Sequence, residues 1–246
     1  MSINILNSKV IDDEYELREL EIDSERIVSI MSSNSYQSLS YMDNEKVFEI
    51  YDSYPKLYDI LSNLGAVNSV LVLGGGGFSY PKYYISHYSD KTMDVIEINS
   101  KLIDISFKYL YLDRLFAEHD PNHKRLNIYC TDAYDFIIKT NRKYDGVFID
   151  LYVDNEPLDI IFEERFIYNI KRILNKDKFL SINYILHEGS LDKFYKFKEL
   201  LSKYFTNTKI ITTDYNVNLS DKNIFILCSD SDITIPDTYK YVEYER

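Results

Sequence analysis

Four of the chain's seven glycines stand in one run, Gly74-Gly75-Gly76-Gly77, directly behind the apolar segment Ser69-Val70-Leu71-Val72-Leu73. Such a short aliphatic run reads as a strand buried on both faces. Glycines at its C-terminal end let the backbone turn without Cβ clashes and come close to a ligand. In open α/β sheets this is the place where a nucleotide or nucleoside lies, and the next helix offers it free backbone N–H groups. The feature therefore demands strand, ligand loop and helix in succession.

The rest of the chain keeps that rhythm. Apolar segments at Val70 to Leu73, Met93 to Ile98, Leu126 to Cys130, Gly146 to Leu151, Phe179 to Tyr184, Lys209 to Thr213 and Ile224 to Cys228 predict seven strands. Helical spacing in Pro81 to His87, Leu102 to Leu112, Tyr134 to Lys139, Glu164 to Leu174 and Leu191 to Tyr204 predicts the helices between them, and hence a mostly parallel sheet covered on both faces. Asp214 to Lys222 has no helical pattern, so the last two strands are expected to pair as an antiparallel hairpin at the sheet edge. Rough alternation from Tyr15 to Met42 predicts a small N-terminal antiparallel sheet. The spacing of Val47, Ile50, Tyr51, Tyr54, Leu57, Tyr58 and Leu61 predicts a helix over 46–64, with Pro55 as a kink or boundary. Residues 1–45 are thus read as a small β element and 46–246 as the nucleoside-binding domain.

A formal net charge of -12 repels phosphate backbones and anionic membranes, which argues against a nucleic-acid or membrane partner. The acidic N-terminal stretch Asp12-Asp13-Glu14 lacks the basic and apolar regions of a signal peptide, and no apolar run reaches membrane-spanning length, which predicts a cytoplasmic protein. Cys130 and Cys228, each flanked by strand-like residues, are expected to be buried reduced thiols. His119-Asp120 and His123 lie in what reads as a polar surface connector without a further ligand nearby, so no metal site is expected.

The informative residues in such a sheet stand just after the strands. Besides the glycine run these are Glu97, about 20 residues on, where an acceptor can meet ribose hydroxyls; Asp132-Ala133, placed for a purine's exocyclic amine; and Asp150, ahead of the acidic loop Leu151 to Pro157. Each has a plainer alternative. Glu97 can also be read as an exposed strand-end acid, Asp132 as the N-cap of the next helix, and the loop behind Asp150 as a solvated connection with its own helix cap. A carboxylate at 150 would face the reacting end of a nucleoside and could take a proton from an amine or hold it electrostatically.

The glycine run, Glu97, Asp132-Ala133 and Asp150 in this order resemble the Rossmann-like methyltransferase fold and, more narrowly, the spermidine synthase family. Val70 to Gly77 resembles that family's strand and GGGDGG turn, Asp94-Val95-Ile96-Glu97-Ile98-Asn99 its VEID segment, Tyr144 to Asp150 its YDxIxxD, and Phe162 to Tyr168 its phenylalanine-rich helix start. Gln37-Ser38 and Phe48 to Tyr51 resemble the Gln and Tyr that precede its catalytic domain. The resemblance implies a seven-stranded methyltransferase-type sheet with the last strand antiparallel, a small N-terminal β element, and a homodimer. The implied ligand is S-adenosylmethionine or its decarboxylated form, held by Gly74, Gly75, Gly76, Gly77, Gln37, Glu97, Asp132 and Ala133, with Asp150 facing a small-molecule acceptor, such as an amine, in a pocket lined by Tyr51 and Asp154.

Departures shape the expected reaction. Gly77, followed by Phe78, stands where aminopropyltransferases carry an aspartate that holds the donor's amine; Asp52 stands where they have His or Gln; and their D-S-x-D-P pattern is altered around Asp150, Asp154 and Pro157. The leading expectation is therefore an S-adenosylmethionine-dependent methyltransferase acting on a small molecule, with polyamine aminopropyl transfer as the alternative and a catalytically idle nucleoside binder as the third.

Overall fold

The computed structural model describes residues 3–32, 35–51, 57–59, 67–153, 156–186, 188–212, 222–235 and 242–243. Four antiparallel strands come first: β1 (Ile3–Val10), β2 (Glu16–Ile22), β3 (Glu25–Ser32) and β4 (Ser35–Tyr41), in the order β1-β2-β3-β4. The sequence pattern predicts this sheet only from Tyr15 onward. β1 carries no inward face to reveal it, because all eight of its residues are exposed.

The main sheet alternates with helices: β5 (Ser69–Leu73), α1 (Ser79–His87), β6 (Thr92–Glu97), α2 (Ser100–Tyr109), α3 (Leu112–His119), β7 (Leu126–Cys130), α4 (Ala133–Lys139) and β8 (Tyr144–Ile149). A two-stranded ribbon follows, β9 (Tyr152–Val153) with β10 (Glu156–Pro157), then α5 (Glu164–Ile173), β11 (Leu174–Leu186), α6 (Leu191–Ser202), β12 (Asn207–Thr212), β13 (Lys222–Ser229) and β14 (Val242–Glu243). The sheet order is β14-β12-β13-β11-β8-β5-β6-β7. β5 pairs in parallel with β6 and with β8, while β13 runs antiparallel to β11 and β12. The expected seven-stranded, mostly parallel architecture holds, and the hairpin partner β13 inserts between β11 and β12. The two-residue β14 then pairs with β12.

Strand periodicity divides the interior into two cores. On β5, Val70 and Val72 face one side with Met93, Val95, Phe148 and Phe225, covered by Tyr84 and Ile85 of α1 and by Leu112, Leu115 and Phe116 of α3. Leu71 and Leu73 face the other with Ile96, Val147, Ile149 and Ile182, covered by α4, α5 and α6 through Ile137, Phe166, Ile170, Phe194 and Phe197. Apolar groups on both faces explain the unbroken aliphatic strands.

Three expectations need correction. Residues 44–48 form turns rather than the first turns of a helix over 46–64, because Asp43 accepts from the Glu45 N–H at 2.9 Å and its carbonyl from Lys46 N–H at 2.9 Å. Leu57 to Asp59 is helical, and Pro55 and 60–66 lie outside the described residues. The connector expected around His119-Asp120 and His123 begins inside a helix, since Ala117 to His119 close α3, which Tyr111 opens in a left-handed conformation; His119 stands edge-on to Phe48 and His123 stacks on Phe116. Cys130 is exposed, since β7 is the edge strand, whereas Cys228 is buried.

The N-terminal sheet is fastened to this body. Tyr15, Val28 and Ile30 pack on Leu102, Ile105 and Leu110. β4 lies along α1, where Ser38 Oγ and Ser79 Oγ share a 3.0 Å hydrogen bond and Ser79 Oγ donates to Leu39 O at 3.2 Å. Three residues along α1, Lys82 is 1% exposed and donates to Ser40 Oγ at 2.8 Å and Leu110 O at 2.7 Å, with no carboxylate partner among the described residues. Burial lowers its pKa from 10.5 to about 7. The unfolded chain therefore binds more protons between those values, so this residue makes stability rise with pH through that window, and its penalty is complete below pH 7. Lys82→Met is expected to flatten this rise, an outcome read from denaturant midpoints measured between pH 6 and pH 10.

Candidate active site

The strand order reverses at β5, so a crevice opens beyond the C-terminal ends of β5 and β8. Five neighbouring strands line up there in the order β11, β8, β5, β6, β7, bringing Asn183 within β11 and Asp150, Gly74, Glu97 and Asp132 at the ends of the other four into one row. Backbone bonds carry the alignment past the regular strands: Asp150 N–H donates to Leu73 O at 2.8 Å, Gly74 N–H to Ile96 O at 2.9 Å, and Thr131 N–H to Glu97 O at 3.2 Å.

Gly74 has φ +95°, and a Cβ built on it would stand 2.1 Å from the Asp150 carbonyl oxygen. Glycine is demanded there both by conformation and by contact. Gly77 is a glycine for a different reason. A Cβ there would meet Ser38 Cβ and Oγ at 2.2 Å and Leu110 Cδ1 at 2.7 Å. The volume that a side chain at 77 needs is already filled by the N-terminal sheet and the end of α2.

Glu97 is buried, and its carboxylate organises the loop. Oε2 accepts from the N–H groups of Gly75 at 2.9 Å and Gly76 at 3.0 Å, and Oε1 accepts from Asn99 N–H at 2.9 Å. An ionised carboxylate offers about four acceptor directions, so after these three bonds capacity for a ligand hydroxyl remains. The exposed-acid alternative is excluded by this burial. Asn99 in turn caps α2 and donates through Nδ2 to Tyr15 OH at 2.7 Å, linking the site's edge to the N-terminal sheet.

Asp132 is exposed and accepts from Asp135 N–H at 2.9 Å, so it is the N-cap of α4, while Ala133 is buried behind it. The cap engages Oδ1 and leaves Oδ2 for a ligand. Gln37 is exposed on β4, with its carbonyl oxygen 3.7 Å from the Cβ direction of Gly76. Tyr51 packs with Leu39 and Tyr41 against the small core of the N-terminal sheet, edge-on to Tyr41 at 5.4 Å. Asp154 lies outside the described residues.

Asp150 is half-buried, and Asn183 Nδ2 donates to its Oδ1 at 2.8 Å. Loss of hydration raises its pKa to about 6, opposed by the Asn183 hydrogen bond and assisted by the nearby Glu97 charge. Its proton affinity is thereby placed near neutrality, suited to accepting a proton. Pattern reading missed Asn183. The available signal was a lone amide in a largely apolar strand segment, Leu180-Ser181-Ile182-Asn183-Tyr184-Ile185.

Because Asp150 has a raised pKa, ionising it costs folded-state stability as pH climbs from about 4 to 6, and the cost persists above. Asp150→Asn is expected to stabilise the protein by about 1–3 kcal/mol at pH 7, discounted for partial exposure, and by nothing below pH 4. Melting curves of both proteins at the two pH values provide the check.

Residues 61–236 match the spermine/spermidine synthase domain model. The chain is 31% identical over 109 residues to the polyamine aminopropyltransferase of Methanocaldococcus jannaschii, a match that takes in 44% of this chain and 36% of that protein. With the polyamine aminopropyltransferase of Prochlorococcus marinus (strain MIT 9312) it shares 27% identity over 150 residues, covering 61% and 52%. The matched region thus spans about a third to a half of these curated relatives. Among solved structures, a probable spermidine synthase from Corynebacterium glutamicum superposes with a TM-score of 0.75 at 13% identity, covering 94% of this chain and 82% of that one.

Proposed function

Given that the chain belongs to the spermine/spermidine synthase family, we propose that it is an aminopropyltransferase that moves the aminopropyl group of decarboxylated S-adenosylmethionine to a small amine. The observation that carries this reading is Asp150, a carboxyl of near-neutral proton affinity at the switch point of the sheet, beside the glycine loop. Transfer forms a bond from the amine nitrogen to the carbon beside the sulfonium, breaks the carbon–sulfur bond, and releases methylthioadenosine. An amine attacks only through a free lone pair, and Asp150 accepts the proton that must leave it. Glu97 supports a ribose role through its unused acceptor capacity, Asp132 and Ala133 stand for the adenine edge, and Gln37, Tyr51 and Asp154 are proposed to border the acceptor. The net charge of -12 favours a polycationic acceptor.

Methyl transfer from S-adenosylmethionine is kept as a second reading on one observation. Ser38 and Leu110 close the space beside Gly77, so position 77 offers no acid to the donor's amine. Calorimetric titration with S-adenosylmethionine, its decarboxylated form and methylthioadenosine separates the two. Preferred binding of the decarboxylated form, with methylthioadenosine and an aminopropylated amine as products, is the expected result. Preference for the full methionine ligand and a methylated product would overturn it, and binding without turnover of any amine would leave the idle nucleoside binder. Asp150→Asn is expected to cut turnover by roughly 10²–10⁴-fold while donor affinity is kept.

A further inference from the structure

β11 runs on after β8 has ended. Ile182 is its last residue paired with β8, opposite Ile149, whereas Asn183 to Leu186 pair only with β13. The backbone groups that this stretch turns toward the β8 side need partners. Tyr152 supplies them from the loop behind Asp150: its OH donates to Asn183 O at 3.0 Å and accepts from Ile185 N–H at 2.9 Å. One phenol thus stands in for the missing strand. The side chain of Asn183 is held as well, its Oδ1 accepting from Asn223 Nδ2 of β13 at 2.9 Å, which leaves its own NH₂ turned to Asp150.

We infer that Asn183 is a positioning residue for Asp150, and that Tyr152, by clamping the Asn183 backbone, makes docking of the loop after β8 and alignment of the Asp150 carboxylate a single event. Among the described residues Asn183 is the one side chain that donates to Asp150. With Oδ1 so engaged, Oδ2 is left to take the incoming proton. This last role rests on the reading of Asp150 as the base in transfer, whereas the positioning itself does not.

Among the described residues the charge that bears on Asp150 is that of Glu97, at the end of β6; Tyr152 holds its own proton more tightly than usual, chiefly through burial, and adds no charge in the acid range. Removing the Asn183 donor takes away a bond to the ionised form, so the Asp150 titration must move upward.

The test is carboxyl ¹³C NMR titration of the free protein, with the Asp150 signal identified by its loss in Asp150→Asn. Asn183→Leu is expected to raise the Asp150 midpoint by roughly one to two pH units, and Tyr152→Phe by a smaller step in the same direction. The double variant is expected to match Asn183→Leu alone, because the phenol acts through the amide. An unmoved midpoint in Asn183→Leu overturns the positioning role. A Tyr152→Phe shift that persists in full on the Asn183→Leu background overturns the coupling. Thermal melts check that each variant is folded, and Tyr152→Phe, which keeps the ring, serves if Asn183→Leu does not fold. The midpoints need no substrate. Movement without any transferase turnover would reject the proposed reaction and keep this arrangement, while turnover with unmoved midpoints would do the reverse.

Discussion

The contact on which the site depends is the approach of two backbones, Gly74 at the end of β5 and Asp150 at the end of β8. A Cβ at 74 would stand 2.1 Å from the Asp150 carbonyl, inside any real contact distance. Only a residue without a side chain, and one at ease at φ +95°, lets both strands finish side by side. Everything chemical follows from that closeness. The glycine loop folds back over Glu97, whose carboxylate gathers two loop N–H groups, and Asp150 is drawn into the same partly dehydrated crevice, where Glu97 and lost hydration together lift its proton affinity.

How much of this a sequence discloses depends on whether the signal is local. The alternation of buried strands with helices was legible because Val70 to Leu73 and its counterparts face apolar layers on both sides, a condition written directly into composition. The helix α3 was not, since its start is a non-glycine residue, Tyr111, in a left-handed conformation and its polar end reads as a connector. The expected helix over 46–64 failed at its beginning for the converse reason: the apolar spacing is present, but Asp43 diverts the backbone into turns. Cys130 read as buried because edge position is a property of topology, and no residue of β7 announces that it closes the sheet among the described residues.

The site divides in the same way. Gly74 to Gly77, Glu97 and Asp150 are strand-end residues and were visible once the strands were placed. Asp132 was weighed as ligand group and as cap, and its cap role is explicit in the bond from Asp135 N–H. Asn183 and Lys82 were hidden, because each matters through partners 28 to 42 positions away in sequence, at distances only the folded chain sets. A lysine in an amphipathic helix looks solvated until another sheet is laid across it.

The seating of β4 against Gly77 limits what can be substituted there. Ser38 fills the volume a side chain at 77 would need, and the same strand carries Gln37 beside Gly76 and is tied to α1 through Ser79 and Lys82. A mutation that puts an acid at 77 therefore needs the Ser38 side chain removed or β4 moved aside. Position 77 and the N-terminal sheet thus form one packing unit, so a larger residue at 77 has to arrive together with a smaller one at 38 or a shifted β4.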